Sequence, residues 1–220
     1  MNPRVLKCPL CGAPLTFRAP FCAYCRNPVT WDRDVVIQRG TPFFELDFRQ
    51  DKLPGWSASK PGKDGTKVFI EKADWQNYGT FEPKVRDACM VIRGVATDPH
   101  GHFGVRARIS GEGDGHADYK LRVYPQTRSW KLEREIAWGK DIEIDVMVPW
   151  EHAPVIADVG QPNEVELRLA DAVLQVSVNG QRLTTIFDAG FGFGALGWVV
   201  GSLDAPATVM LLSAAAYRAI

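Results

Sequence analysis

From Phe43 to Ile220 the chain is a succession of short segments in which apolar and polar residues alternate, and nothing longer than a turn or two carries the 3.6-residue period of an amphipathic helix. That pattern restricts residues 43–220 to an all-β fold. Strands are expected at 43–48, 67–71, 79–82, 88–93, 103–109, 119–124, 130–135, 142–148, 164–169, 173–178, 181–187, 195–200 and 208–217. The sharpest local signal is Asn179-Gly180 between two such runs, which predicts a type I′ hairpin because both central residues of that turn need positive φ. About a dozen strands without an internal repeat are too many for an immunoglobulin sandwich and lack the blade period of a propeller, so a two-sheet jelly roll is the expected architecture. Residues 31–42, ending Arg39-Gly40-Thr41-Pro42, read as a linker.

The N-terminal thirty residues obey a different rule. Cys8, Cys11, Cys22 and Cys25 form two Cys-x-x-Cys pairs separated by ten residues, and only Cys89 lies elsewhere. This spacing lets two tight turns face each other and offer four thiolates to one tetrahedral Zn²⁺, whereas a redox dithiol wants a single pair in a βαβ frame. So short a segment buries too little apolar surface to fold alone, so the metal supplies its folding energy. Four thiolates close the coordination shell, which makes the zinc structural and not catalytic. The segment resembles the small bacterial zinc ribbons of the Cys-Pro-x-Cys-Gly…Phe-Cys-x-x-Cys-Gly type. Arg26 stands where the second turn usually has glycine, and Asn27 is expected to supply the left-handed residue one place later.

Composition narrows the function classes. The 26 basic and 26 acidic residues balance, but residues 1–30 hold Arg4, Lys7, Arg18 and Arg26 and no acid, so a head of charge +4 joins a remainder of −4. Zinc with four thiolates reduces the head to about +2, and no basic stripe with interleaved aromatics accompanies it, which argues against nucleic acid as the partner. No run of about 18 apolar residues is present to span a bilayer, and the first cysteine comes before a signal-peptide core, so a cytoplasmic protein is expected. Cys89, inside the apolar run 88–92, is expected to be a buried thiol.

Within the β region, 119–124, 130–134, 163–168, the strand ending in Asn179-Gly180, and Phe193-Gly194-Ala195-Leu196-Gly197 together resemble the second half of a concanavalin A-like lectin/glucanase jelly roll, nearest in flavour to the laminin G-like and 3-keto-disaccharide-hydrolase-like groups. The resemblance implies a two-sheet sandwich over 43–220. It implies less about function, because this fold carries glycan binders, glycosidases and protein-contact modules alike.

Four candidate sites follow. Glu143-Ile144-Asp145-Val146-Met147-Val148 resembles the carboxylate strand of laminarinase-type glycosidases, where alternate acids act on one strand face. The third acid would fall on Met147 or Val148, and Glu151 lies beyond Pro149, where the strand is expected to have ended. A retaining hydrolase without its acid/base lacks half its machinery, so no catalytic residue is assigned. The segment is read as a strand with Ile142, Ile144 and Val146 facing inward and Glu143 and Asp145 in solvent. Gly192-Phe193-Gly194-Ala195-Leu196-Gly197 matches the dinucleotide fingerprint literally, but no helix follows, so its glycines are read as close packing between strands. Glu112, Asp114 and Asp118 offer a Ca²⁺ site as the alternative to a solvated Gly/Asp turn. Seven tryptophans are present, and Trp130, Trp138 and Trp150 with Arg134 are the candidate lining of a ligand groove on the concave sheet.

The combined expectation is an all-β protein with a small four-cysteine zinc ribbon at 1–30, a linker at 31–42 and a concanavalin A-like jelly roll at 43–220. It would act as a non-catalytic binding or adaptor module for a protein partner or a carbohydrate. A glycan-active hydrolase is the alternative reading and nucleic-acid contact through the ribbon the third.

Overall fold

The structure is a computed structural model that describes residues 11–13, 22, 24–26, 36–55, 60–112, 115–139, 141–188 and 190–220. Its strands, in chain order, are β1 (Arg39–Asp47), β2 (Thr66–Ile70), β3 (Gln76–Val85), β4 (Ala88–Ala96), β5 (Gly101–Glu112), β6 (Gly115–Tyr124), β7 (Ser129–Trp138), β8 (Asp141–His152), β9 (Pro162–Ala170), β10 (Val173–Val178), β11 (Gln181–Phe187), β12 (Gly194–Ser202) and β13 (Ala207–Ala219). They form two antiparallel sheets, one ordered β1-β13-β4-β9-β10-β11 with β2 also on β13, the other ordered β3-β12-β5-β6-β7-β8. The all-β jelly-roll expectation is thereby met, and no helix among the described residues is long and apolar enough to cross a membrane.

Alternation builds the sandwich. Phe103, Val105 and Ala107 of β5, Tyr119, Leu121 and Val123 of β6, and Trp198 and Val200 of β12 point one way and meet Met90, Ile92, Val165, Leu167, Val176, Val209 and Leu211 of the other sheet in one continuous core. Their neighbours at odd spacing point away from the core. Register is pinned where turn chemistry predicts it: Asn179 and Gly180 take φ of 49° and 79°, as a type I′ hairpin requires, and Asn179 Nδ2 donates to Val155 O at 2.8 Å.

Two boundaries differ from expectation for a physical reason. The first strand begins at Arg39, ahead of residue 43, and the segment leading into it is docked: Ile37 is buried, its N–H donates to Gln175 Oε1 at 2.9 Å, and its carbonyl accepts from Arg168 at 2.6 Å. The eighth strand runs on through Pro149 and Trp150 to His152, because a shift in register against β7 around Met147 absorbs the proline at an edge position. Gly194 and Gly197 lie within β12, where a Cβ would come to 2.3 Å from Arg108 C and 2.4 Å from Gly79 O, so strand packing explains the glycine run.

Candidate functional site

The face of the six-stranded sheet turned away from the core is where the unusual chemistry collects. Antiparallel pairing sets Asp118 opposite Glu135, Lys120 opposite Glu133 and Arg122 opposite Lys131, while Arg106 lies opposite Lys120. Direct neighbours therefore include like charges, and the ion pairs form on the diagonals or, for Lys131 and Glu133, along β7. Arg106 pairs with Asp118 and Arg122 with Glu133; Lys120 Nζ reaches Glu135 Oε2 at 2.6 Å and Lys131 Nζ reaches Glu133 Oε1 at 2.5 Å. His116 Nε2 stands 3.0 Å from Glu135 Oε1. Except for the half-buried His116 and Lys131, these groups are buried although they face away from the core, because long side chains on three adjacent strands cover one another.

Aromatic rings border this charged floor. Tyr78 of β3 lies 4.3 Å from the Arg106 guanidinium, and Trp150 of β8 lies 5.5 Å from that of Arg122, with His102 and Tyr124 packed near its ring. A groove of about 330 Å³ opens beside Tyr78, lined also by Thr80, Glu82, Lys84, Arg106 and His116. Burial pushes the Asp118 carboxyl above its ordinary range, with Arg106 opposing. Burial also pushes Glu135 up, but Lys120 and His116 more than offset it and leave the carboxyl low. The His102 imidazole is fully buried and held well below its usual range, first by burial and then by Arg122 and Lys131.

Among the described residues, five buried side-chain atoms on this face have no hydrogen-bond partner: Gln76 Oε1, both ring nitrogens of His102, Asp118 Oδ1 and Arg122 Nε. Gly201 makes room for two of these side chains, since a Cβ there would lie 2.6 Å from His102 Nε2 and 2.9 Å from Gln76 Cγ. The set mixes acceptors with donors. Each unmet buried group costs about 1–3 kcal/mol.

The tryptophan groove expected from sequence is not assembled as such. Trp130 is a correction: it faces the core and is fully buried, since β7 turns residues 130 and 132 inward. Arg134 shares the inward side and is tied to Asp145 at 3.1 Å and Asp188 at 3.3 Å. Trp138 is exposed at the far end of β7, whereas Trp150 reaches the charged floor. The expected orientation of β8 is also reversed. Ile142, Ile144 and Val146 pair with Ala137, Glu135 and Glu133 and so share the charged face, while Glu143 and Asp145 lie on the other side of the strand. The calcium triad loses Asp118 to Arg106, and the Asp114 and Glu112 side chains lie outside the described residues.

Cys11, Cys22 and Cys25 come together at the N-terminus, with their sulfurs within 4.8 Å of one another. The Cys11 to Cys22 separation of 3.6 Å fits the edge of a tetrahedron with Zn–S bonds of about 2.3 Å, roughly 3.8 Å. Each second cysteine is followed by a left-handed residue, Gly12 at φ 69° and Arg26 at φ 56°, so Arg26 itself makes the turn expected of Asn27. Backbone N–H groups of Cys25 and Tyr24 point at Cys22 sulfur and lower its thiol, as a metal-binding turn requires. The donor set fits a soft divalent metal, and Cys8 lies outside the described residues. Cys89 is buried in β4 and its thiol is pushed up to about 12, chiefly by burial, so it is an inert core group.

No known sequence family matches the chain, and no curated protein does. Solved structures share its fold. A Bacillus subtilis protein with a galectin-like fold superposes with a TM-score of 0.59 at 13% identity over 84% of this chain and 99% of its own. A carbohydrate-binding module from the same species gives 0.55 at 12% identity over 73% and 93%. A Bacillus licheniformis beta-glucanase gives 0.55 at 8% identity over 82% and 100%. The chain thus has the galectin and concanavalin A-like jelly-roll fold.

Proposed function

We propose that this protein is a non-catalytic binding module that presents the outer face of its six-stranded sheet to a carbohydrate, with a zinc-held N-terminal ribbon as a second contact surface for a protein partner. The observation that carries the first part is the groove beside the half-exposed Tyr78 ring, lined by the polar side chains of Thr80, Glu82, Lys84, Arg106 and His116, with Trp150 bordering the same charged floor. A sugar hydroxyl both donates and accepts, so a polyhydroxylated ring answers that mixed polar lining while its C–H face lies on an aromatic ring. Structural neighbours described as a carbohydrate-binding module and a glucanase support the same ligand class.

The carboxylates favour binding over hydrolysis. Asp118, Glu133 and Glu135 are each held by a cation, which leaves Glu82 among the described groove residues, whereas a glycosidase needs a pair of carboxyls. Titration of the ¹⁵N-labelled protein with soluble glucan, fructan and galactan oligosaccharides tests the reading. The Trp150 indole resonance and amides near Tyr78 should shift, and Tyr78→Ala and Trp150→Ala should each weaken binding about tenfold. Release of reducing ends would contradict the non-catalytic assignment, and unchanged spectra with every glycan would contradict the carbohydrate assignment.

A further inference from the structure

The sheets end in strands that differ in how they refuse further pairing. β1 carries Pro42 and register shifts against β13, β3 carries Pro83, and β11 spans only seven residues. β8 is twelve residues long, pairs only with β7 among the described residues, and has no proline between Asp141 and Val148. Alternate backbone N–H and C=O groups along this stretch point away from β7, which makes it a template for another strand.

The two sides of that template have distinct chemistry. Ile142, Ile144 and Val146 form an apolar row, 60%, 50% and 45% exposed. The opposite side carries Asp141, Glu143 and Asp145, and Asp141 is paired in register with Trp138, whose ring is also exposed. Asp145 already binds Arg134, which leaves Asp141, Glu143 and the Trp138 ring to receive cations. A second copy of the chain is a poor occupant, because antiparallel pairing about Ile144 sets Glu143 opposite Asp145 twice, and pairing about Glu143 sets it against itself.

We propose that β8 is a docking edge for an extended segment of a partner protein in which basic and aliphatic residues alternate, added to the six-stranded sheet as a seventh strand. Its Lys or Arg side chains lie over Asp141, Glu143 and Trp138, its aliphatic side chains continue the Ile142-Ile144-Val146 row, and its backbone completes the edge ladder. This site does not depend on the carbohydrate reading.

The probe is the synthetic peptide acetyl-Lys-Val-Lys-Ile-Arg-Val-Lys-amide, titrated into the full ¹⁵N-labelled chain. Expected are shift changes confined to amides at 141–148 and to Trp138, slower hydrogen exchange along 141–148, weaker binding as salt is raised, and about a tenfold loss in Glu143→Lys. Glu143 and Ile144 are exposed, so variants at either position should retain the parent circular dichroism spectrum. Absence of binding, shifts elsewhere, or equal affinity for a peptide with Glu at every basic position overturns the proposal. So does a concentration-dependent dimer abolished by Ile144→Lys, which would assign the edge to a second copy.

Discussion

Replacing Glu166 by Gln should expose how the chain entering β1 is secured. The Glu166 side chain, 2% exposed on β9, accepts from Arg39 Nε at 2.7 Å and from Arg168 at 2.9 Å, and Arg168 in turn holds the Ile37 carbonyl at 2.6 Å. One carboxylate thus positions two guanidiniums that bind the segment before β1 and the start of β1 itself. Two charge-assisted hydrogen bonds of about 1.5–3 kcal/mol each set an upper bound. Arg39 is about a third exposed and keeps Glu164 at 2.7 Å, so most of its share is recovered through water and that partner. The expected net loss is about 2 kcal/mol, equivalent to roughly 4–8 °C in Tm for a chain of this size.

The same substitution has a pH signature. Burial pushes the Glu166 carboxyl up, but Arg39 and Arg168 more than offset it and hold it below its ordinary value of 4.5. Its contribution is therefore present above pH 4.5 and lost as pH falls through the lower folded value. Urea unfolding at a series of pH values should show Glu166→Gln less stable near neutrality and converging on the parent in acid. Hydrogen exchange should be fastest to increase at Ile37. Parallel stability curves across the whole range would refute the reasoning.

His102 should act in a separate window. Its buried imidazole stays neutral while the unfolded chain takes up a proton below pH 6.5, so parent stability should decline between pH 6.5 and 5 and a His102→Gln variant should lack that limb in the same titration. Gly79→Ala should cost about 1–3 kcal/mol and alter tryptophan fluorescence. The added Cβ would stand 2.2 Å from Pro54 O and 2.5 Å from Trp198 Nε1, the two ends of a 2.9 Å hydrogen bond. Elemental analysis should find one zinc per chain, and Cys22→Ser or a strong chelator should remove it; full stoichiometry in Cys22→Ser would contradict the assignment.

The β-architecture was legible because its signals are local. Alternation, the Asn179-Gly180 turn and the paired cysteines depend on neighbours a few residues apart, and those relations survive any tertiary arrangement. The charged face of the six-stranded sheet was not legible in that way. In 119–124 and 130–135 the polar half of each alternation looks like ordinary solvent-facing residues, and the tryptophans drew attention to a groove that Trp130 leaves for the core. A signal was present nonetheless: cations at Lys120 and Arg122 on one strand and anions at Glu133 and Glu135 on the next complement each other once the two are paired.

β8 marks the boundary between the two kinds of information. Its period of two was plain, but period alone does not say which side of a strand faces the core. That choice depends on cross-strand register with β7, so Ile142, Ile144 and Val146 came to lie outside, against the local expectation. Local chemistry therefore specified strands, turns and the cysteine cluster. The diagonal ion pairs, the buried unpartnered polar atoms and the apolar row on β8 arise from register, which brings together residues whose spacing in the chain carries no mark of their meeting.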